Sequence, residues 1–127
     1  MAKPAKKSWP DKRPVVCLVT DRHRLAGTVG SDDVSALEKL VAESVRAGID
    51  LVQIRELGLS DRLLTAVVSR AVTVAQGSRT RIVVNDRVDI AVTAGANGVH
   101  LKETSMPAER ARTIVPESCL IGRSVHS

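Results

Sequence analysis

At 127 residues, with 43% hydrophobic side chains, this chain has room for one domain with its own core. One Trp and no Phe or Tyr make that core aliphatic, and the composition is not that of a disordered chain. No apolar run approaches the ~20 residues of a membrane span, and the charged, proline-bearing start is not a secretory signal.

The net charge of +5 is concentrated at one end. Lys3, Lys6, Lys7, Lys12 and Arg13 against Asp11 give +4 of it, so the remaining body is near +1. Residues 1–14 are expected to form a disordered basic tail. Apart from the one Trp, stacking aromatics are absent, which disfavours a nucleic-acid module. Cys17 and Cys119 lie in apolar runs and are expected to be small core hydrophobes in a reduced, cytoplasmic setting.

In chain order, the β-branched run from Val15 to Thr20 predicts a buried strand. After a polar loop, Ser31 is placed to cap a helix whose apolar face is Val34, Leu37, Val41 and Val45. Gly48 ends it, and "LVQI" at 51–54 is a second strand. Ser60 caps a second helix, with Leu63 or Leu64, Val67, Ala71 and Val74 inward, ending near Gly77. "RIVVN" at 81–85 is a third strand, and Arg87 to Ala94 a short helix closed by Gly95. "GVHL" at 98–101 is a fourth strand, Pro107 to Ile114 a helix and "CLIG" at 119–122 a fifth strand.

Strands alternating with helices at this spacing predict an α/β fold with parallel strands covered by helices. Neither GxGxxG nor a Walker pattern follows the first strand, which favours a barrel over a doubly wound sheet. The expectation is a partial (β/α)8 TIM barrel of about five strands and four helices at residues 15–127, with the later strands missing. Such a piece would expose sheet edges and apolar inner faces, and should associate with itself or with a complementing chain.

One pattern occurs twice: "AGIDLVQIRE" at 47–56 and "AGANGVHLKE" at 94–103 align without a gap. In a βα barrel the C-terminal strand ends carry the chemistry, and alternate strand residues point inward. If Val52 and Ile54 face the helices, Gln53 and Arg55 face the axis, and the same parity turns His100 and Lys102 inward. Asn85 and Asp86 end the third strand, while Ser124 and His126 follow the fifth. Cations converging with an amide and a carboxylate suit a polyanionic substrate with a divalent metal. Plainer readings stand beside these. Arg55–Glu56 and Lys102–Glu103 would serve as ion pairs, Asp86 as a helix cap and His100 as a hydrogen-bonded core residue; Asp21 fits either kind of role.

The segments "LVTDR", "DLVQIRE" followed by "LSDR", "VNDRVDIAVTAGANGVHL" and "IGRSVHS", in this order, resemble the thiamine-phosphate synthase/TenI family over nearly all of residues 15–127. The resemblance implies a Mg²⁺-dependent transferase of thiamine biosynthesis. Such an enzyme joins hydroxymethylpyrimidine diphosphate to thiazole phosphate by a dissociative displacement and releases pyrophosphate. By matching positions, Gln53, Arg55 and Asn85 would hold the diphosphate, Asp86 would ligate Mg²⁺ and Ser124 would lie by the pyrimidine. His100, Lys102, Glu103, Ser105 and His126 are further rim candidates. Leu57 stands where synthases read Lys, and Ser105 where they place a second metal-binding Asp. These departures resemble the TenI branch, a thiazole tautomerase, as the alternative. A truncated, partner-dependent half-barrel is the third reading.

Overall fold

A computed structural model describes residues 14–25 and 33–124. The basic tail short of Pro14, the Ser31 cap and His126 lie outside the described residues. The elements are β1 (Cys17–Val19), α1 (Arg22–Leu25), α2 (Asp33–Arg46), β2 (Leu51–Ile54), α3 (Asp61–Ala75), β3 (Arg81–Asn85), α4 (Val88–Ala94), β4 (Gly98–Leu101), α5 (Ala108–Ile114) and β5 (Leu120–Arg123). The strands form one parallel sheet in the order β1-β2-β3-β4-β5. Strictly sequential order is barrel winding; a doubly wound sheet reverses direction at a switch point. Among the described residues no helix is long and apolar enough to cross a membrane.

Strand alternation divides the sheet into two faces. Val52, Ile54, Ile82, Val84, Val99 and Leu101 point to one face and are all buried. They pack against Leu37 and Val41 of α2, Leu64, Val67, Val68 and Ala71 of α3, Ile90 and Ala91 of α4, and Ala111 of α5. Each such fully buried aliphatic side chain contributes about 1.5–3 kcal/mol of hydrophobic stabilisation. The helix starts and stops are local. Ser60 Oγ accepts the Leu63 N–H at 3.1 Å at the head of α3, and Gly95 closes α4 in the left-handed conformation, φ 71°.

The opposite face carries Cys17, Leu51, Gln53, Val83, His100 and Leu120, which line an apolar trough of 410 Å³ that none of the described helices covers. In a closed barrel this is the interior.

Four expectations need correction. The described residues form five helices rather than four, because Arg22–Leu25 forms a single turn with no apolar period to announce it. Cys17 is exposed, whereas Cys119 is buried; an apolar run reveals a strand but not whether its outward face is covered. Val74 is 46% exposed and Leu63 38%, so the inward residues of α3 are Leu64, Val67, Val68, Ala71 and Ala75. The first strand is also shorter than Val15–Thr20. Its ladder nonetheless continues one residue past each end, through Leu51 N–H to the Val16 carbonyl at 3.1 Å and Thr20 N–H to the Gln53 carbonyl at 2.9 Å.

Candidate active site

The C-terminal ends of the strands enclose a groove of 560 Å³ lined by Val19, Gln53, Arg55, Asn85, His100, Lys102, Glu103, Thr104 and Ser124. Strand register explains the convergence. Gln53 pairs with Val83, and Asn85 with His100, which pairs in turn with Gly122. Gln53, Asn85 and His100 therefore stand on the uncovered face, and Arg55, Lys102 and Ser124 continue it two residues further on. The structure thus brings Gln53, Arg55, Asn85, His100, Lys102, Glu103 and Ser124 to one place. Asp86 and Ser105 stand beside the groove, bonded to Lys102.

Each side chain is held by a specific neighbour. His100 Nε2 lies 2.7 Å from Ser124 Oγ, which joins β4 to the segment after β5. Gly122 makes room for this, since a Cβ there would come within 2.9 Å of His100 Nδ1. The Arg55 N–H donates to the hydroxyl of buried Thr20 at 3.1 Å, which fixes the backbone of Arg55. Its guanidinium makes no ion pair among the described residues.

Glu56 is not the partner of Arg55. Adjacent strand residues face opposite ways, and Glu56 is buried against Arg22. It accepts from the Arg22 N–H at 3.1 and 3.2 Å and from Nη1 at 3.2 Å. Arg22 also donates to the Leu57 carbonyl at 2.8 Å and pairs with Asp33 at 3.3 Å. This buried cluster ties the loop after β1 to the loop after β2 and so braces Arg55 from behind.

Lys102 likewise pairs across the sheet rather than with Glu103. Its ammonium lies 3.4 Å from Asp86 Oδ2. Ser105 Oγ donates to Asp86 Oδ1 and accepts the Lys102 N–H at 2.8 Å. Among the described residues Asp86 is also the one non-glycine at positive φ, 66°, pinned there by its N–H to the His100 carbonyl at 2.7 Å. It does not cap α4, whose N-cap is Arg87, with no side-chain capping bond to the helix N–H groups.

Arg87 is absorbed elsewhere. It bonds Asp61 at 2.7 Å and Asp89 at 2.8 Å, tying the start of α3 to the start of α4. Hydrogen bonds from Arg87 hold both carboxyls below the ordinary Asp range, and the guanidinium is held more firmly protonated in return.

The donor set around Asp86 bears on the metal. Mg²⁺ is commonly held by one or two carboxylates together with substrate phosphates. Asp86 supplies one carboxylate, its side chain 33% exposed, with the Ser105 hydroxyl against it. No cluster of three His, Cys, Asp or Glu able to hold a metal exists among the described residues. These residues fit an ion arriving with a diphosphate rather than a resident metal.

Val19, Thr104, Thr20 and the Arg22–Glu56 pair were not legible as site residues. Val19 shares the parity of Gln53, a usable signal, but Arg22 and Glu56 are 34 residues apart and meet only in the fold. A second cavity of 480 Å³ lies at the opposite end of the strands, by Arg81, Asn97, Ser118 and Cys119, the end where barrels place stability rather than chemistry.

A family model described as "Thiamine monophosphate synthase" matches residues 16–127. A thiamine-phosphate synthase of Albidiferax ferrireducens is 36% identical over 112 residues, 87% of this chain and 47% of that protein. One from Methanoculleus marisnigri is 45% identical over 82 residues, 63% of this chain and 38% of its own length. The solved thiamine phosphate pyrophosphorylase of Pyrococcus furiosus superposes with a TM-score of 0.72 at 27% identity, covering 89% of this chain and 50% of that one. The chain therefore spans about half, or less, of the length of these relatives.

Proposed function

This chain belongs to the thiamine monophosphate synthase family, and from that membership we propose that its groove is the diphosphate and pyrimidine side of a thiamine-phosphate synthase site. The observation that carries the reading is the convergence of Arg55, Lys102, Gln53, Asn85, His100 and Ser124 on one groove at the C-terminal strand ends. Arg55 and Lys102 offer charge-assisted hydrogen bonds to phosphate oxygens, and the amides of Gln53 and Asn85 offer neutral donors. Ser124, oriented by His100, is placed to bond the pyrimidine ring.

In a dissociative displacement the carbon–oxygen bond to the diphosphate breaks first, and the thiazole nitrogen then captures the pyrimidine cation. The protein's work is to hold both partners and to stabilise the charge that gathers on the leaving pyrophosphate. Arg55 meets that charge from β2 and Asn85 from β3. Mg²⁺ held at Asp86, with Ser105 alongside, would neutralise part of it. The thiazole phosphate is the partner these five strands do not enclose; further barrel structure, from the same polypeptide or from a complementing chain, would complete its site. The free thiols of Cys17 and Cys119 support a cytoplasmic setting for this chemistry.

Supplied with both substrates and Mg²⁺, the complete protein, with the barrel structure that closes the thiazole site, should release pyrophosphate, read by a coupled pyrophosphatase assay. Complete, folded protein that releases none would sink the synthase reading. Metal-independent conversion of the thiazole tautomer, followed by ultraviolet absorbance, would move the assignment to the TenI-like alternative. That alternative is favoured by Leu57 and Ser105 at the positions where synthases carry a cation and a second acid.

A further inference from the structure

Lys102 belongs to two neighbourhoods at once. Its side chain lines the groove, and its ammonium is paired with Asp86, the carboxylate to which the reading above gives the divalent ion. That carboxylate is held on both oxygens by protein donors, the ammonium at Oδ2 and the Ser105 hydroxyl at Oδ1. Neither partner of the ion pair is buried, with side-chain exposures of 45% for Lys102 and 33% for Asp86. An ion pair this exposed is weak, and a divalent cation competes for the same oxygen. The lysine stem is flexible and its head is a point charge free to choose among acceptors. On the β2 side of the groove, Leu57 is 65% exposed and apolar, so among the described residues Arg55 is the one lining cation there.

We propose that Lys102 is a metal-gated diphosphate ligand, an inference that rests on the diphosphate reading of the groove. With the groove empty, its ammonium neutralises Asp86 and keeps that carboxylate from repelling an incoming anion. When Asp86 takes a divalent ion, Lys102 is released and turns its ammonium to the diphosphate. The groove then gains the charge of the metal while keeping that of the lysine, and the second cation comes from the β4 side.

The test measures two affinities by titration calorimetry, that of Mn²⁺ alone and that of inorganic pyrophosphate with and without Mg²⁺, in wild type, Lys102→Met and Arg55→Ala. Met keeps the length of the stem, and thermal melts check that each variant is folded. The gate predicts opposite signs in Lys102→Met. Mn²⁺ alone binds more tightly, because its competitor has gone, while pyrophosphate with Mg²⁺ binds about tenfold more weakly. Lys102→Arg, which keeps the charge, should recover most of the pyrophosphate affinity. If both affinities stay unchanged, or both move in the same direction, the gate is wrong while the diphosphate reading stands on Arg55→Ala. If wild type binds no pyrophosphate with or without Mg²⁺, the diphosphate reading fails, and the role of the lysine fails with it.

Discussion

The two copies of the repeated segment are alike at one end and different at the other. At the start of each strand, Asp50 Oδ2 accepts the Val16 N–H at 2.8 Å, and Asn97 Oδ1 accepts the Ile82 N–H at the same distance. In both copies this side chain closes the backbone of the preceding strand. At the mouth the copies part. Glu56 is buried against Arg22, whereas the aligned Glu103 is exposed; Arg55 is left free of ion pairs among the described residues, whereas the aligned Lys102 is held by Asp86. A shared pattern therefore sets register and direction, and the loops that arrive from elsewhere decide what each polar group does.

The largest break in this comparison should come from Glu56→Ala. It removes the buried partner of the Arg22 guanidinium, which keeps only the partly exposed Asp33 and the Leu57 carbonyl. Removing one partner of a buried pair costs up to about 3–5 kcal/mol, read as a large drop in chemical-denaturation midpoint. Asn97→Ala attacks the shared end, leaving the buried Ile82 N–H unsatisfied at a cost of about 1–3 kcal/mol. Its Tm should fall with pyrophosphate affinity intact. Gly122→Ala pushes a Cβ into His100 and should cost about 1–3 kcal/mol by overpacking. It should also separate His100 from Ser124, visible as a changed imidazole NMR signal. Glu103→Ala, aligned with Glu56, should stay within about 0.5 kcal/mol of wild type. A large loss there would erase the contrast between the copies.

Much of the fold was legible because it rests on local alternation. With Val52 and Ile54 toward the helices, period two turns Gln53 to the opposite, uncovered face, and the same rule placed His100 and Lys102. What escaped were contacts between residues distant in sequence and properties of the uncovered face. No local pattern distinguishes the exposed Cys17 from the buried Cys119. Nor does any spacing announce that Glu56 reaches back to Arg22, or that Ser105 donates to Asp86. The adjacent ion pairs weighed as the plainer reading at both strand ends fail for one reason: neighbours on an extended chain look away from each other.

Asp86 at φ 66° has a consequence for how this protein balances robustness against chemistry. An L-residue held in the left-handed region stores about 1 kcal/mol of backbone strain that glycine would not. Asp86→Gly should therefore fold at least as well as wild type while abolishing any metal-dependent gain in pyrophosphate affinity. The carboxylate that is easiest to justify for binding is the one a search for thermostable variants would discard first, so selection for heat resistance alone would erode this site before it touched the core.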